Sequence, residues 1–178
     1  RYSFDLEDTS EGFAFGGPII KDRAYFFVTY EEATINKPIT HGPIGSGLPN
    51  EQGITVAEVD QIRNIAKTKY GFDPLGYTSS NSSAQEFMTA RLDINITDNH
   101  RLTFNHKEVE SSKLNGANSS YGTFNFSSAE YQKGENTETD GFLLVSNWSD
   151  DLITELSYST KTQKTSQMSP VRQNLPSF

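Results

Sequence analysis

The sequence contains no cysteine, and its 178 residues include only 15 lysines and arginines against 23 aspartates and glutamates. The absence of cysteine excludes disulfides, thiolate nucleophiles and thiolate metal ligands. The formal net charge of -8 disfavours a nucleic-acid partner, because DNA and RNA are themselves polyanions. Composition alone therefore argues against nucleic-acid binding and against any site that depends on a cysteine thiolate.

Long apolar runs are also missing. Mean hydropathy is -0.61, and no segment approaches the roughly 18 consecutive apolar residues of a membrane-spanning helix. A transmembrane β-strand is not subject to this test, since only alternate residues of such a strand face lipid. The sequence opens at Arg1 without the charged and apolar regions of a secretory signal, and we interpret it as an internal segment of a longer chain.

Patterns that carry catalysis or metal binding are sparse. The three histidines, His41, His100 and His106, are scattered and lack the spacing of a zinc motif. The Gly45-Ser46-Gly47 stretch lacks the frame that presents a nucleophilic serine. No phosphate-binding or dinucleotide-binding glycine motif occurs either. We therefore predict that the protein is not an enzyme, and we predict no catalytic residue, cofactor or metal site.

The sequence does contain period-two alternation, in pairs of segments joined by short polar turns, which is the pattern of β-hairpins. The clearest case runs from Met88 to Ile96, where apolar residues at even positions alternate with polar residues at odd positions. This pattern predicts an all-β fold of about six antiparallel strands in three hairpins. The predicted strands cover about 12–20, 23–35, 86–97, 101–111, 139–149 and 152–163.

The connections alternate in length. Those within hairpins are short, whereas those between hairpins are long and rich in Gly, Ser, Asn and Thr. This asymmetry is typical of outer-membrane barrels, which pair short periplasmic turns with long extracellular loops. We therefore predict an antiparallel transmembrane β-barrel segment, about six strands of a larger barrel. One helix is predicted over 56–70 in the first long loop, with Thr55 and Glu58 as a capping box and Gly71 as its stop.

The predicted barrel assigns roles to side chains on both faces. Polar residues of the second hairpin would face the lumen, and these candidates are Arg91, Asp93, Asn95, Arg101, Asn105 and Lys107. Aromatic residues in the second long connection are candidates for ligand contact, namely Tyr121, Phe124, Phe126 and Tyr131. Tyr30, Trp148 and Tyr158 lie toward strand ends on the apolar side, where amphipathic rings suit a membrane interface.

The stretch 15–31, FGGPIIKDRAYFFVTYE, resembles a barrel hairpin of TonB-dependent receptors in the Oar-like group. The segments 55–74 and 91–102 are similar to the same family and occur in the same order. The resemblance implies an outer-membrane transporter that moves a ligand across the bacterial outer membrane with energy transmitted by TonB. Its implied partners are TonB, outer-membrane lipid and a transported ligand of unknown identity. In such receptors a plug closes the barrel and a short box contacts TonB, and we expect both to lie outside this segment.

Two other functional classes fit the alternation. A soluble secreted β-sandwich could bind a glycan or a protein through its loops, and a passive porin would be a barrel without a plug. The sandwich must bury the apolar strand faces in water, whereas both barrels expose them to lipid. Burial of the apolar faces therefore distinguishes the sandwich from the barrels. A plug and a TonB-contacting segment distinguish the transporter from the porin.

Overall fold

A computed structural model describes residues 8–78, 80–116 and 122–169. Strands dominate these residues, as the alternation predicts. In chain order the elements are β1 (Thr9–Ile20), β2 (Ala24–Pro38), β3 (His41–Ile44), β4 (Asn50–Thr55), α1 (Val56–Tyr70), β5 (Ser80–Thr97), β6 (His100–Asn115), a 3-10 turn (Ser127–Ala129), β7 (Tyr131–Ser149) and β8 (Leu152–Met168).

The six long strands form one antiparallel sheet in the order β1-β2-β5-β6-β7-β8. Each long strand therefore lies beside the next long strand along the chain, which makes the sheet a simple meander. The predicted all-β fold, with six antiparallel strands and a helix in the first long connection, is confirmed at this level. Within the described ranges, β1 and β8 each pair on one side only, so the sheet is open. No helix among the described residues is both long enough and apolar enough to cross a bilayer.

Most of the strands extend well beyond the predicted limits. β7 begins at Tyr131 rather than near 139, and β5 begins at Ser80 rather than near 86. The added residues are largely Ser, Asn, Gln, Glu, Thr and Lys on both faces. Alternation of apolar and polar residues therefore stops where the apolar side chains stop, although the backbone ladder continues. The sequence signal marked the apolar part of each strand and missed the polar extension.

The turns and the connections lie at opposite ends of the sheet. The short turns are 21–23, 98–99 and 150–151. The long connections, 39–79 and 116–130, join strands at the other end, because neighbouring strands run in opposite directions. In β1 the register shifts between Pro18 and Ile20, since proline cannot donate a ladder hydrogen bond.

The long connections fold against each other into a small unit, called here the loop unit (39–78 and 122–130). The amides of Ser127 and Ser128 donate to the carbonyls of Gly76 and Pro74, at 2.9 and 3.0 Å. β3 and β4 pair in parallel within the unit, which the sequence did not predict. Their sequences, HGPI and NEQGIT, are short and contain no apolar alternation, so only tertiary contact reveals them.

The helix α1 begins and ends as predicted. The Thr55 hydroxyl accepts from the amide of Glu58 at 3.2 Å, and the Glu58 carboxylate accepts from the amide of Thr55 at 2.8 Å. This reciprocal capping box satisfies two backbone donors that the helix leaves open. Gly71 adopts φ 65 and donates its amide to the carbonyl of Ala66. Glycine suits this position because a left-handed conformation strains residues with a Cβ.

Candidate functional site

One face of the sheet carries a continuous apolar band. Register partners in an antiparallel sheet share a face, so they align into rows that cross all six strands. Two adjacent rows are apolar throughout, apart from one glycine, and together they define the apolar band. The first row is Gly17, Phe26, Leu92, Phe104, Phe142 and Tyr158, and the second is Ile20, Ala24, Ile94, Leu102, Leu144 and Leu156.

None of the apolar band is buried: four of its members are exposed and the other eight are half-buried. Phe104 is 43% exposed, Leu156 58% and Tyr158 59%. No other element of the described chain forms a layer over this face. The buried hydrophobic residues of the described ranges are instead Ile39, Leu48 and Val59, all of which belong to the loop unit. The main sheet therefore has no hydrophobic core of its own on this side.

Aromatic residues lie at the margins of the apolar face. Tyr30 stacks on Phe13 with ring centroids 5.9 Å apart, at the margin nearer the long connections. Trp148 lies toward the short turns, where its indole N–H donates to the hydroxyl of Thr154 at 2.8 Å. Its ring meets His100 edge-on at 4.9 Å. Amphipathic aromatic side chains are common where a membrane meets water.

The opposite face is largely polar, although Tyr25 and Phe27 on β2 and Leu143 and Val145 on β7 also lie on it, and it holds all six lumen-facing candidates. At its centre the Asp93 carboxylate accepts from Nε and Nη2 of Arg91, at 2.8 and 2.9 Å. It also accepts from Nη2 of Arg101 at 2.9 Å and from the hydroxyl of Thr103 at 2.7 Å. The Asp93 side chain is only 14% exposed, and Thr103 is 6% exposed. These four residues form the Asp93 cluster, which carries a net charge of one positive unit.

The sequence identified three members of the Asp93 cluster and missed Thr103 as a member. A threonine in an alternating strand carries no special signal, but Thr103 is the direct register partner of Asp93. The other candidates lie apart from the cluster. Asn95 donates to the carbonyl of Asp22 at 3.1 Å near the first short turn. Asn105 and Lys107 are exposed on the same face, farther from the turns.

The aromatic candidates for ligand contact are distributed differently. Phe124 and Phe126 meet edge-on, with centroids 5.0 Å apart and both rings half-buried. Phe124 also lines a cavity of about 180 Å³, where the second long connection meets Gly42 and Ile54 of the first. Tyr131 begins β7 as the register partner of Asn115. Tyr121 lies outside the described residues.

Carboxylates in the loop unit are engaged by local donors. Glu51 accepts from the amides of Gly45 and Gly47, at 3.0 and 2.5 Å, and these bonds lower the pKa of its carboxyl. Asp73 accepts from Arg63 at 2.7 Å and from the amide of Leu75 at 3.0 Å. These donors, the Arg63 guanidinium foremost, hold the pKa of the Asp73 carboxyl well below its ordinary value. Both carboxylates stabilise loop conformation in the ionised form.

A row of acidic residues crosses the apolar side beyond the apolar band, toward the long connections. Glu11, Glu32, Glu86 and Glu110 are consecutive register partners on four neighbouring strands. Like charges directly opposite each other destabilise a strand pair. Asn136 partly relieves the row by donating to Glu110 at 2.7 Å. The row marks a change from apolar to charged surface on one side of the sheet.

Within the described part of the chain, no group of three His, Cys, Asp or Glu side chains is arranged to hold a metal ion. The His106 and Asp140 side chains do form a pair at 2.7 Å, on the apolar side of the sheet. Among known proteins, no family model, no curated protein and no solved structure matches this chain. Function must therefore be inferred from the two faces of the sheet and from the loop unit.

Proposed function

We propose that this chain is part of the wall of an outer-membrane β-barrel that transports a ligand, as in TonB-dependent receptors. The main support for the proposal is that the sheet has the exposed apolar band on one face and the hydrogen-bonded Asp93 cluster on the other. A lipid-facing exterior and a polar interior are the two surfaces that a transmembrane barrel requires. In this arrangement the loop unit lies on the extracellular side.

The height of the apolar face supports a membrane location. On β5 the apolar side chains run from Met88 to Ile96, about the 9 to 11 residues that a tilted strand needs to cross a bilayer. Beyond Met88 the same face turns acidic at Glu86. β5 continues beyond the apolar stretch to Ser80, which makes its first part an extension above the membrane surface.

The apolar margin shifts along the strands across the sheet. On β1, β2 and β5 the margin nearer the long connections is the row of Phe13, Tyr30 and Met88. On β7 and β8 it is Phe142 and Tyr158, two rows nearer the short turns. A shift of four residues over five strand spacings corresponds to a strand tilt of about 30° against the membrane normal. Strands of outer-membrane barrels tilt by roughly 35 to 45°. The shift of the apolar margin is therefore close to what is expected where tilted strands cross a flat membrane.

The soluble sandwich is disfavoured by the same observations. A sandwich buries its inner faces against a second sheet about 10 Å away. Here the apolar band lies open, and the described residues supply no second layer to cover it. The passive porin shares the exposed band, and only a plug and the coupling to TonB separate the transporter from it.

The membrane assignment is tested by placing a fluorophore on each face of the full-length protein in lipid vesicles. Leu92→Cys lies in the apolar band and Asn105→Cys on the polar face, each in a background free of other cysteines. We expect nitroxide-bearing lipids to quench the label at 92 and aqueous iodide to quench the label at 105. Equal quenching by iodide at both positions, or a full-length protein that is monodisperse without detergent, would refute the barrel.

The TonB-dependent part of the proposal needs a separate test. The full-length protein should bind the periplasmic domain of TonB, and deletion of its TonB-contacting segment should abolish that binding. A full-length barrel that conducts ions freely in planar bilayers and does not bind TonB would identify the porin instead. Binding of TonB and ion conduction are both measured on the same preparation of the undeleted protein.

A further inference from the structure

The two faces of the sheet carry opposite charge. On the polar face, basic side chains outnumber acidic ones by seven to four. The basic residues are Lys37, Arg91, Arg101, Lys107, Lys113, Lys133 and Lys161, and the acidic ones are Glu31, Asp93, Glu135 and Glu155. On the apolar side, seven acidic side chains face a single lysine. They are Glu11, Glu32, Glu86, Glu108, Glu110, Glu138 and Asp140, with Lys164 as the lysine.

This division is invisible in the composition, because the whole chain has a net charge of -8. Neighbouring residues of a strand point to opposite sides of the sheet. The order of basic and acidic residues along the strands therefore gives the two faces opposite net charges. In the pair Lys107 and Glu108, for example, the lysine lies on the polar face and the glutamate on the apolar side. A negatively charged chain thus presents a positively charged polar surface.

The positive charge of the polar face is accessible at the level of the apolar band. Asp93 is saturated by its three donor residues, so it offers little to a cation. The side chains of Arg91 and Arg101 remain 44% and 54% exposed, and Lys107 is exposed one row beyond Arg91. Guanidinium groups with free N–H donors bind carboxylates and phosphates well.

We propose that this sector of the barrel wall selects anionic solutes, that is, small molecules that bear a carboxylate or phosphate group. The inference rests on the proposed barrel, which makes the polar face a lumen surface. A channel wall of one charge sign raises the local concentration of oppositely charged solutes, because low-dielectric surroundings focus the field. The acidic side chains of the opposite face lie outside the barrel, where water and headgroups screen them.

The test measures the electrostatic potential at the polar face with thiol reagents that are themselves small charged solutes. Asn105→Cys is introduced into the full-length protein in a cysteine-free background and placed in lipid vesicles. An anionic and a cationic methanethiosulfonate are compared, each normalised to its rate with free cysteine. We expect the anionic reagent to be favoured by about sevenfold, because a potential near one kT per unit charge speeds the anionic reagent and slows the cationic one by about threefold each. Ala84→Cys, one row from Glu32, Glu86 and Glu110 on the apolar side, is the matched control and should favour the cationic reagent.

Charge removal provides the second arm. Arg91→Gln combined with Arg101→Gln should abolish the preference at position 105. Because that pair also strips Asp93 of its donors, Lys107→Gln is measured alongside, since it leaves the Asp93 cluster intact and should reduce the preference. The inference is overturned if position 105 reacts with neither reagent, favours the cationic one, or is unaffected by all of these substitutions.

Failure of the inference and failure of the barrel give different results. Leu92→Cys should be unreactive toward both reagents in vesicles, because lipid covers it in the proposed barrel. A reactive Leu92→Cys refutes the barrel assignment whatever the charge preference at position 105. An unreactive Leu92→Cys with a cationic preference at position 105 leaves the barrel intact and refutes anion selection.

Discussion

Thr103 is the residue whose role changes most between sequence and structure. From the alternation alone it is one polar side chain among several on the polar face. In the structure it is nearly buried and donates to Asp93 at 2.7 Å. A buried hydroxyl bonded to a carboxylate stabilises more than an exposed one, because the carboxylate has less access to water.

Replacing Thr103 by valine should destabilise the protein by about 1 to 2 kcal/mol, since valine keeps the shape and removes the donor to a charged acceptor. Urea unfolding of the full-length protein in lipid vesicles measures the change. Thr103→Ser retains the hydroxyl and is the matched control, which should lose clearly less. A valine variant as stable as the natural protein, or a larger loss for serine than for valine, would show that packing of the methyl group, rather than the hydrogen bond, matters at this position.

Leu92 tests the apolar band at the same scale. Leu92→Arg places a charge on the proposed lipid face near mid-membrane and should cost about 2 to 4 kcal/mol of folding free energy in lipid. Asn105→Arg is the matched control, because Asn105 is exposed on the polar face. Folding yields in liposomes compare the two variants. A cost at position 105 as large as at 92 would contradict the assigned faces.

At the scale of elements, strand pairing creates interactions that no single strand contains. The row Glu11, Glu32, Glu86 and Glu110 exists only because four strands meet in this register. Each glutamate is ordinary in its own strand. In the sheet the four carboxylates lie opposite one another and repel. This repulsion destabilises the part of the sheet that lies between the apolar band and the loop unit.

Glu32→Gln should therefore stabilise the sheet by about 0.2 to 1 kcal/mol, because it removes a charge that faces carboxylates on both neighbouring strands. The gain should shrink at high salt, where exposed charges are screened. Glu155→Gln is the matched control, since Glu155 faces Val145 instead. Unfolding in urea at two salt concentrations gives both values, and a gain at 155 equal to that at 32 would rule out the row as its cause.

The loop unit should respond to acid. Asp73 has a folded pKa below its ordinary value of 3.8, so the stabilisation it provides is complete above that value and is lost as the pH falls toward the folded pKa. Glu51 and Glu58 shift in the same direction and add to the effect. We expect hydrogen exchange in α1 to accelerate as the pH falls below about 4, after correction for intrinsic exchange.

The matched variants for this prediction are Asp73→Asn and Asp150→Asn. Asp73→Asn should accelerate exchange in α1 already at neutral pH and weaken its acid dependence. Asp150, in a short turn at the other end of the sheet, should leave α1 unchanged when replaced. An acid response of α1 that is identical in both variants would show that the Arg63 and Asp73 pair does not stabilise the loop unit.

For the whole molecule, the two faces define what kind of environment the sheet requires. The exposed apolar band needs a lipid or a protein layer, and the positively charged polar face needs water or a polar partner. A barrel wall satisfies both demands at once, since lipid covers one face and a lumen hydrates the other. The loop unit needs neither, because it carries the buried hydrophobic residues Ile39, Leu48 and Val59.

The sequence by itself determined the features that depend on local periodicity. The alternation from Met88 to Ile96 identified a strand and its two faces, and the spacing of Thr55, Glu58 and Gly71 identified a capped helix. Such features are set within a few residues, so they can be recognised without a partner. The polar extensions of the strands escaped because a hydrogen-bonded ladder needs no apolar alternation.

Only the tertiary structure decided which residues of neighbouring strands are register partners. Between β2 and β5 lies the whole first long connection, and no local rule fixes the register across it. That register places Phe26 beside Leu92 and so joins the hairpins into one apolar band. Further pairing across the sheet buries Thr103 against Asp93 and aligns the glutamates in a row. The individual strands could therefore be predicted from the sequence. The apolar band and the polar face, on which the proposed function depends, arise only from contacts between residues far apart in the chain.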